Sequence, residues 1–263
     1  MSAPSPSLFD LAAFKASLGA TACRFNLEAL AACASTNTWL LRAAQSGAAS
    51  GTVVVADTQT AGRGRMGRSW ISSPGNSLTF SLLWRFPAPS PAPQGLSLAV
   101  GVALVRGLQR VGVDGVRLKW PNDLLLSDRK LGGILVELQP GDVRSAVLGI
   151  GINLRLPAAA VEGIEPASLE ETGVAISREA LTATLLEALC ATLDDYGLAG
   201  FPAVRQAWER VNAHAGKQVR ILGPGIVLEG QCRGVDADGA LLLETDRGVE
   251  RIISGDVSLR PAA

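Results

Sequence analysis

Gly62-Arg63-Gly64-Arg65-Met66-Gly67-Arg68-Ser69-Trp70 packs three glycines and three arginines into nine residues. Its GxGxxG spacing raises the dinucleotide fingerprint, which needs a strand before it and a helix after it. A strand does precede it, because Thr52–Ala56 is a β-branched apolar run. No helix follows, since Ile71-Ser72-Ser73-Pro74-Gly75 is a turn-forming run. Roughly twenty residues on, where an acidic ribose partner belongs, stands Arg85. No HRD or DFG accompanies the loop, and no GxxxxGK[ST] occurs in the chain. What remains is a loop whose glycines admit a ligand close to the backbone and whose arginine forks match phosphate or carboxylate. The plain alternative is a solvated basic turn.

Two further segments weigh against that alternative. Lys119-Trp120-Pro121-Asn122-Asp123-Leu124 is followed by Asp128-Arg129-Lys130-Leu131-Gly132-Gly133-Ile134-Leu135-Val136-Glu137, and together they hold two of the four lysines. Pro121-Asn122-Asp123 reads plainly as a hairpin turn with Trp120 in the core. Lys130, just ahead of Gly132-Gly133 at the start of an apolar strand, is well placed to reach a ligand lying on a glycine backbone. Gly149-Ile150-Gly151-Ile152-Asn153-Leu154 puts two glycines on one strand face. Strand glycines mark a bulge or a close approach of backbone or ligand.

Outward from these segments the pattern is mixed. Ser35 caps a helix over Thr36–Ser46, with Gly47 as its stop. Leu78–Trp84, Val116–Trp120, Leu131–Leu138 and Ala146–Leu154 read as strands, and Leu96–Val111, apolar nearly all round, as a buried helix. Leu181–Leu193 reads as an amphipathic helix capped by Ser177, and Phe201–Asn212 as another helix. After His214 come short strands at Gln218–Leu222, Ile226–Arg233, Ala240–Glu244 and Val249–Ile253, with a turn at Asp238-Gly239, which suggests a small β-barrel. The expected organisation is a loosely held arm over 1–24, a main domain over 25–214 and the barrel over 215–263. The lone histidine, His214, reads as an ordinary linker residue at the boundary.

Composition limits the classes of function. Of 263 residues 48% are hydrophobic and 18% charged, so whole-chain disorder is excluded. The 24 basic and 24 acidic residues cancel, which argues against a general nucleic-acid coat. One histidine excludes a His-rich metal site, and the four cysteines form no CxxC pair or zinc spacing. Reduced cysteines, no signal peptide and a longest apolar run of only Leu98–Val105 predict a cytoplasmic protein without a membrane span.

Taken in order, Ser35-Thr36-Asn37, Gln59 through Trp70, Lys119 through Leu124, Lys130 through Glu137 and Gly149 through Asn153 resemble biotin protein ligases. The resemblance runs over roughly residues 25–260, and the short arm leaves no room for the DNA-binding domain that some members carry, so it implies a monofunctional ligase. The implied fold is α+β: a mixed β-sheet with packed helices, of the class II synthetase type, followed by a small SH3-like β-barrel. The implied reaction joins biotin to ATP as biotinyl-5′-AMP, with Mg²⁺ accompanying the ATP, and then transfers biotin to a lysine of a biotin carboxyl carrier domain. No DNA or membrane partner is implied. Family members pair through sheet edges in some cases and stay monomeric in others.

Residue by residue, the resemblance assigns biotin to Ser35, Thr36, Asn37, Gln59, Gly133 and Gly151, with Arg63, Gly64, Arg65 and Lys130 lining the loop side. Arg63 and Lys130 answer the charge that builds on phosphate. Asn122, Trp70 and Asn153 join Arg63, Arg65 and Lys130 around the nucleotide, Trp70 either shielding the adenylate or anchoring the loop. Asp123 orients the acceptor amine or helps take its proton, unless it is only a turn residue. No protein ligand for the metal is assigned. Two other readings stay open: lipoate-type ligation, and a biotin-binding sensor that has lost turnover.

Overall fold

Short apolar runs, buried on both faces in β2 and β3, set the central strands, and a computed structural model orders the strands into two sheets. It describes residues 8–88, 90, 93–157, 165–223, 226–253 and 258–261. The larger sheet comprises β1 (Asn26–Cys33), β2 (Thr52–Gln59), β3 (Ser77–Arg85), β4 (Val116–Lys119), β5 (Asp123–Leu126), β6 (Arg129–Gln139) and β7 (Asp142–Asn153). Their order is β1-β2-β3-β7-β6-β5-β4. Only β1 and β2 run parallel; the other pairs are antiparallel.

Neighbours in sequence feed opposite faces. Val53, Val55, Leu82, Leu148 and Ile150 enter the main core with the helices α1 (Leu11–Leu18), α3 (Leu96–Arg110) and α4 (Arg178–Ala199). Val54, Leu83 and Val147 pack instead against α2 (Thr36–Gln45). The Ser35 hydroxyl accepts from Thr38 N–H, so the expected cap holds this helix. α3 has no side-chain cap; Gly95 precedes it at φ +66°, and a Cβ there would come within 2.7 Å of the Phe201 ring.

Three expectations need correction. The arm is docked from Leu8 on: Phe9, Phe14 and Leu18 are buried, Asp10 caps α1, and Leu8 N–H donates to Asp57 Oδ2 at 2.7 Å. Its three apolar side chains complete the core beside α4. α4 is amphipathic as expected: α1, α3 and α5 (Pro202–Arg210) pack on it, and Thr184, Glu187, Ala191, Asp194 and Asp195 form the one less buried stripe. The second sheet, of β8 (Gln218–Gly223), β9 (Ile226–Val235), β10 (Leu241–Thr245), β11 (Gly248–Ile252) and β12 (Ser258–Pro261), runs β11-β10-β9-β8-β12. All its pairs are antiparallel, and among the described residues β11 and β12 do not meet, so no closed barrel forms. Finally, His214 is no linker residue, being 5% exposed.

His214 is buried because the chain there serves as a joint. Leu118 N–H donates to Val211 O at 2.7 Å and Ala213 N–H to Leu118 O at 2.9 Å, which lays 211–213 along the edge of β4. Trp120 Nε1–H donates to Gly239 O at 3.1 Å, tying the second sheet to the end of β4, and Val235 N–H donates to Glu209 Oε1 at 2.7 Å, tying it to α5. Burial first, then the nearby Lys119 and Lys217 charges, push the His214 imidazole down to about 4. No helix among the described residues is long and apolar enough to cross a membrane.

Candidate active site

The polar end of the site grows from the N-terminus of α2. Gln59 Oε1 accepts from Thr36 N–H at 2.7 Å and lies 3.1 Å from Thr36 Oγ1. Its NH₂ therefore turns the other way, beside Gly62, where a Cβ would stand 2.8 Å from Gln59 Nε2. Asn37 is held from both sides: Nδ2 donates to Leu135 O at 3.1 Å and Glu137 Oε2 at 2.8 Å, while Oδ1 lies 2.6 Å from Ser81 Oγ. A Cβ on Gly149 would collide with that Asn37 amide. The amide orientations are thus dictated by the network rather than by the ligand.

The glycine–arginine stretch folds as a miniature hairpin. Gly64 N–H donates to Arg68 O at 2.7 Å and Trp70 N–H to Gly62 O at 2.9 Å, around a single 3₁₀ turn at Arg65–Gly67. Met66 sits at φ 58° and Gly67 at φ 70°, the left-handed pair that closes the turn. Arg63 Nη2 donates to Glu137 Oε2 at 2.8 Å, and Arg65 Nη1 reaches Asn122 Oδ1 at 3.5 Å. Trp70 Nε1–H donates to Thr79 Oγ1 at 3.3 Å, and its ring lies where a Cβ on Gly151 would be. The two strand glycines therefore make room for the Asn37 and Trp70 side chains, which form the wall.

The third side is the β4–β5–β6 hairpin. Asn122 exchanges two bonds with Ile134, Nδ2–H to Ile134 O at 2.8 Å and Ile134 N–H to Asn122 O at 2.9 Å. Lys130 Nζ stands 2.7 Å from Asp123 Oδ1, with both side chains under one-fifth exposed. A Cβ on Gly133 would sit 3.5 Å from Lys130 Nζ, so glycine keeps the space beside the ion pair open.

These three sides enclose a cavity of about 420 Å³. Ser35, Thr36, Asn37, Gln59, Arg63, Gly64, Arg65, Trp70, Asn122, Lys130, Gly133 and Gly151 all line it. Two expected residues do not. Asp123 stands behind Lys130 as its partner. Asn153 turns its amide to Lys130 O at 3.2 Å and Ala167 O at 3.0 Å, tying the end of β7 to the 165–167 segment. Sequence reasoning missed Thr79, Ser81 and Glu137. A signal for the first two existed: Ser77, Thr79 and Ser81 alternate with Leu78, Phe80 and Leu82 along β3, and all six are buried. A polar face that is buried at period two marks a lined cavity.

The cavity thus joins a neutral, hydrogen-bonding end at Thr36 and Gln59 to a cationic end at Arg63, Arg65 and Lys130, and Gly151 and Trp70 line it as well. Such a site holds an apolar chain, a polar head and an anion together.

Comparisons with known proteins agree with this arrangement. The Biotin/lipoate A/B protein ligase family matches residues 30–153, and the Biotin protein ligase C terminal domain matches residues 214–260. The chain is 38% identical over 217 residues to the Bifunctional ligase/repressor BirA of Escherichia coli, covering 81% of this chain and 68% of that one. It is 35% identical over 240 residues to the biotin–acetyl-CoA-carboxylase ligase of Mycobacterium tuberculosis, covering 88% of each. The solved biotin protein ligase from Aquifex aeolicus in complex with biotin and ATP is 31% identical, with a TM-score of 0.78 over 90% of this chain and 99% of that one. The glycine–arginine hairpin, the Lys130–Asp123 hairpin and the second sheet are therefore parts of one inherited machine, and the chain belongs to the biotin protein ligase family.

Proposed function

We propose that the cavity binds biotin and ATP together, forms biotinyl-5′-AMP, and passes biotin to a lysine of a biotin carboxyl carrier domain. The observation that carries this reading is the union of a neutral polar end and a cationic end in one space of about 420 Å³. In the first step a biotin carboxylate oxygen attacks the α-phosphorus, the α–β anhydride bond breaks, and pyrophosphate leaves. In the second the acceptor amine attacks the acyl carbon, the bond to AMP breaks, and the amine loses a proton.

Thr36 and Gln59 suit the ureido ring, while Gly151 and the Trp70 ring suit the apolar chain. Arg63, Arg65 and Lys130 are preorganised donors for the charge on the phosphates and on departing AMP. Asp123 holds the Lys130 ammonium at 2.7 Å and so aims it, and its carboxylate would orient the acceptor amine or help take its proton beside Lys130. Asn153 belongs to the framework under Lys130. Mg²⁺ would accompany the ATP phosphates, and Asp123 and Glu137 each face a cation of the chain.

The test is ATP–pyrophosphate exchange with biotin, with lipoate and with neither. Biotin-dependent exchange is expected, falling about a hundredfold or more in Lys130→Ala while circular dichroism stays unchanged. Exchange that needs lipoate would establish the other branch of the family, absence of exchange would support a binding-only protein, and a near-normal Lys130→Ala rate would remove that residue from the chemistry.

A further inference from the structure

One carboxylate stands behind two walls of the cavity without lining it. Glu137, on β6, places Oε2 2.8 Å from Arg63 Nη2 and 2.8 Å from Asn37 Nδ2. Arg63 belongs to the cationic hairpin and Asn37 to α2, so a single oxygen joins the two elements that bring the cationic and polar ends together. Arg63 and Asn37 line the cavity, whereas Glu137 does not.

The charge arrangement gives this contact a purpose. Arg63, Arg65 and Arg68 fall within six residues and repel one another. Glu137 is the carboxylate that pairs with Arg63. A guanidinium has five N–H donors in a planar fork, and the Glu137 bond occupies one edge of it. With that edge fixed, the remaining donors keep one direction, which preorganisation requires.

We propose that Glu137 is a positioning residue. It fastens Arg63 to α2 in the empty enzyme, so that the arginine meets the ligand anion already aimed and the hairpin stays seated over the bound intermediate. This rests on the cavity being the biotin–ATP site.

The pair is partly solvent-exposed, with side-chain exposures of 44% and 24%, so a moderate effect is expected. Glu137→Gln keeps a carbonyl oxygen for the Asn37 amide and loses the charge on Arg63. In pyrophosphate exchange it should raise the KM for biotin and ATP about fivefold with kcat changed far less. Release of biotinyl-AMP should quicken by a similar factor. Made in an Arg63→Ala background, the same change should add nothing, because the partner is already gone. An equal effect in both backgrounds would mean that Glu137 acts through Asn37 or the strand, and would overturn the proposal; so would an unchanged KM in Glu137→Gln alone. A ligand-free measurement separates this from the parent reading. Hydrogen exchange of amides 62–70 should quicken in Glu137→Gln when Arg63 is present and not when it is absent. If the parent chain shows no biotin-dependent exchange, the biotin–ATP reading falls, and the amide measurement still decides whether Glu137 fastens the hairpin.

Discussion

Along β7 consecutive residues serve two surfaces of opposite design. Leu148, Ile150 and Ile152 are buried against the α3–α4 layer, where space is filled with methyl groups. Gly149 and Gly151 face the other way, and there the space is left to Asn37, Trp70 and the cavity. β3 repeats the contrast, with Leu78, Phe80 and Leu82 on the core side and Ser77, Thr79 and Ser81 on the cavity side. One face gains stability from apolar burial. The other gives up that burial and keeps its polar groups paired with each other; among the described residues the only orphaned buried side-chain atoms are Ser90 Oγ and His214 Nδ1, neither of them in the cavity. A strand can therefore be split by parity into a stability half and a recognition half.

Neighbouring substitutions on β7 should break this contrast if it is wrong. Ile150→Ala removes a fully packed branch, and unfolding free energy should fall by about 2–5 kcal/mol in denaturant titration. The folded fraction should keep its exchange KM. Gly151→Ala puts a Cβ into the Trp70 ring and shifts the wall. Exchange activity should fall about a hundredfold, as for a catalytic surface displaced by about 1 Å, while the unfolding midpoint moves little. Reversed outcomes would show that the faces do not divide the labour.

The same parity explains what the sequence made legible. Strand runs such as Thr52–Ala56 and Leu78–Trp84 and the Ser35 cap carry their own local signals, and all appear in place. The cavity was legible because its motifs concentrate residue types that chemistry needs, although they lie on several separate elements. Glu137 was not, because one acid at the end of an apolar strand has no local pattern, and its partners Arg63 and Asn37 are 74 and 100 residues away. The docked arm was hidden for the same reason: Leu8 meets Asp57 across 49 residues. α4 was legible because its less buried residues, Thr184, Glu187, Ala191 and Asp194, recur on one face at helical spacing. β1, with its small and mixed residues, offered no alternation to read.

The joint between the sheets extends the contrast, since here a polar group is buried and left unpaired. His214 Nδ1 has no partner, and burial with the Lys119 and Lys217 charges brings the imidazole from 6.5 to about 4. The folded chain thus refuses a proton that the unfolded chain accepts between these values. Stability contributed by the neutral form is complete above pH 6.5, declines as pH falls toward 4, and levels off below it. At pH 4.5 the loss should reach roughly 2–3 kcal/mol. His214→Gln should lack this component, so denaturation of both proteins at pH 7 and 4.5 isolates it from the carboxylates they share. Parallel pH profiles would show that the folded chain admits the proton without strain.

The smallest expected effect concerns how the second sheet supports the first. Trp120 is 1% exposed, and its indole N–H donates to Gly239 O at the turn between β9 and β10. That turn is packed closely, for a Cβ on Gly239 would stand 2.8 Å from Gly95 Cα. Two residues beyond Trp120, Asn122 holds Ile134 and meets Arg65 at the cavity rim. A push on the indole is therefore transmitted to the hairpin that carries Asp123. Trp120→Phe keeps most of the apolar volume and removes the donor, leaving the Gly239 carbonyl without its partner. The unfolding free energy should drop by about 1–2 kcal/mol, and the KM for ATP should rise only a few-fold. Both sheets should still melt in one transition, followed by far-UV signal and by tryptophan fluorescence. Two separated transitions would mean that this single bond, rather than the 211–213 edge, joins the sheets. A hundredfold loss of kcat in a chain that still melts as one would place the second sheet inside the chemistry, and its separation from the cavity face would no longer stand.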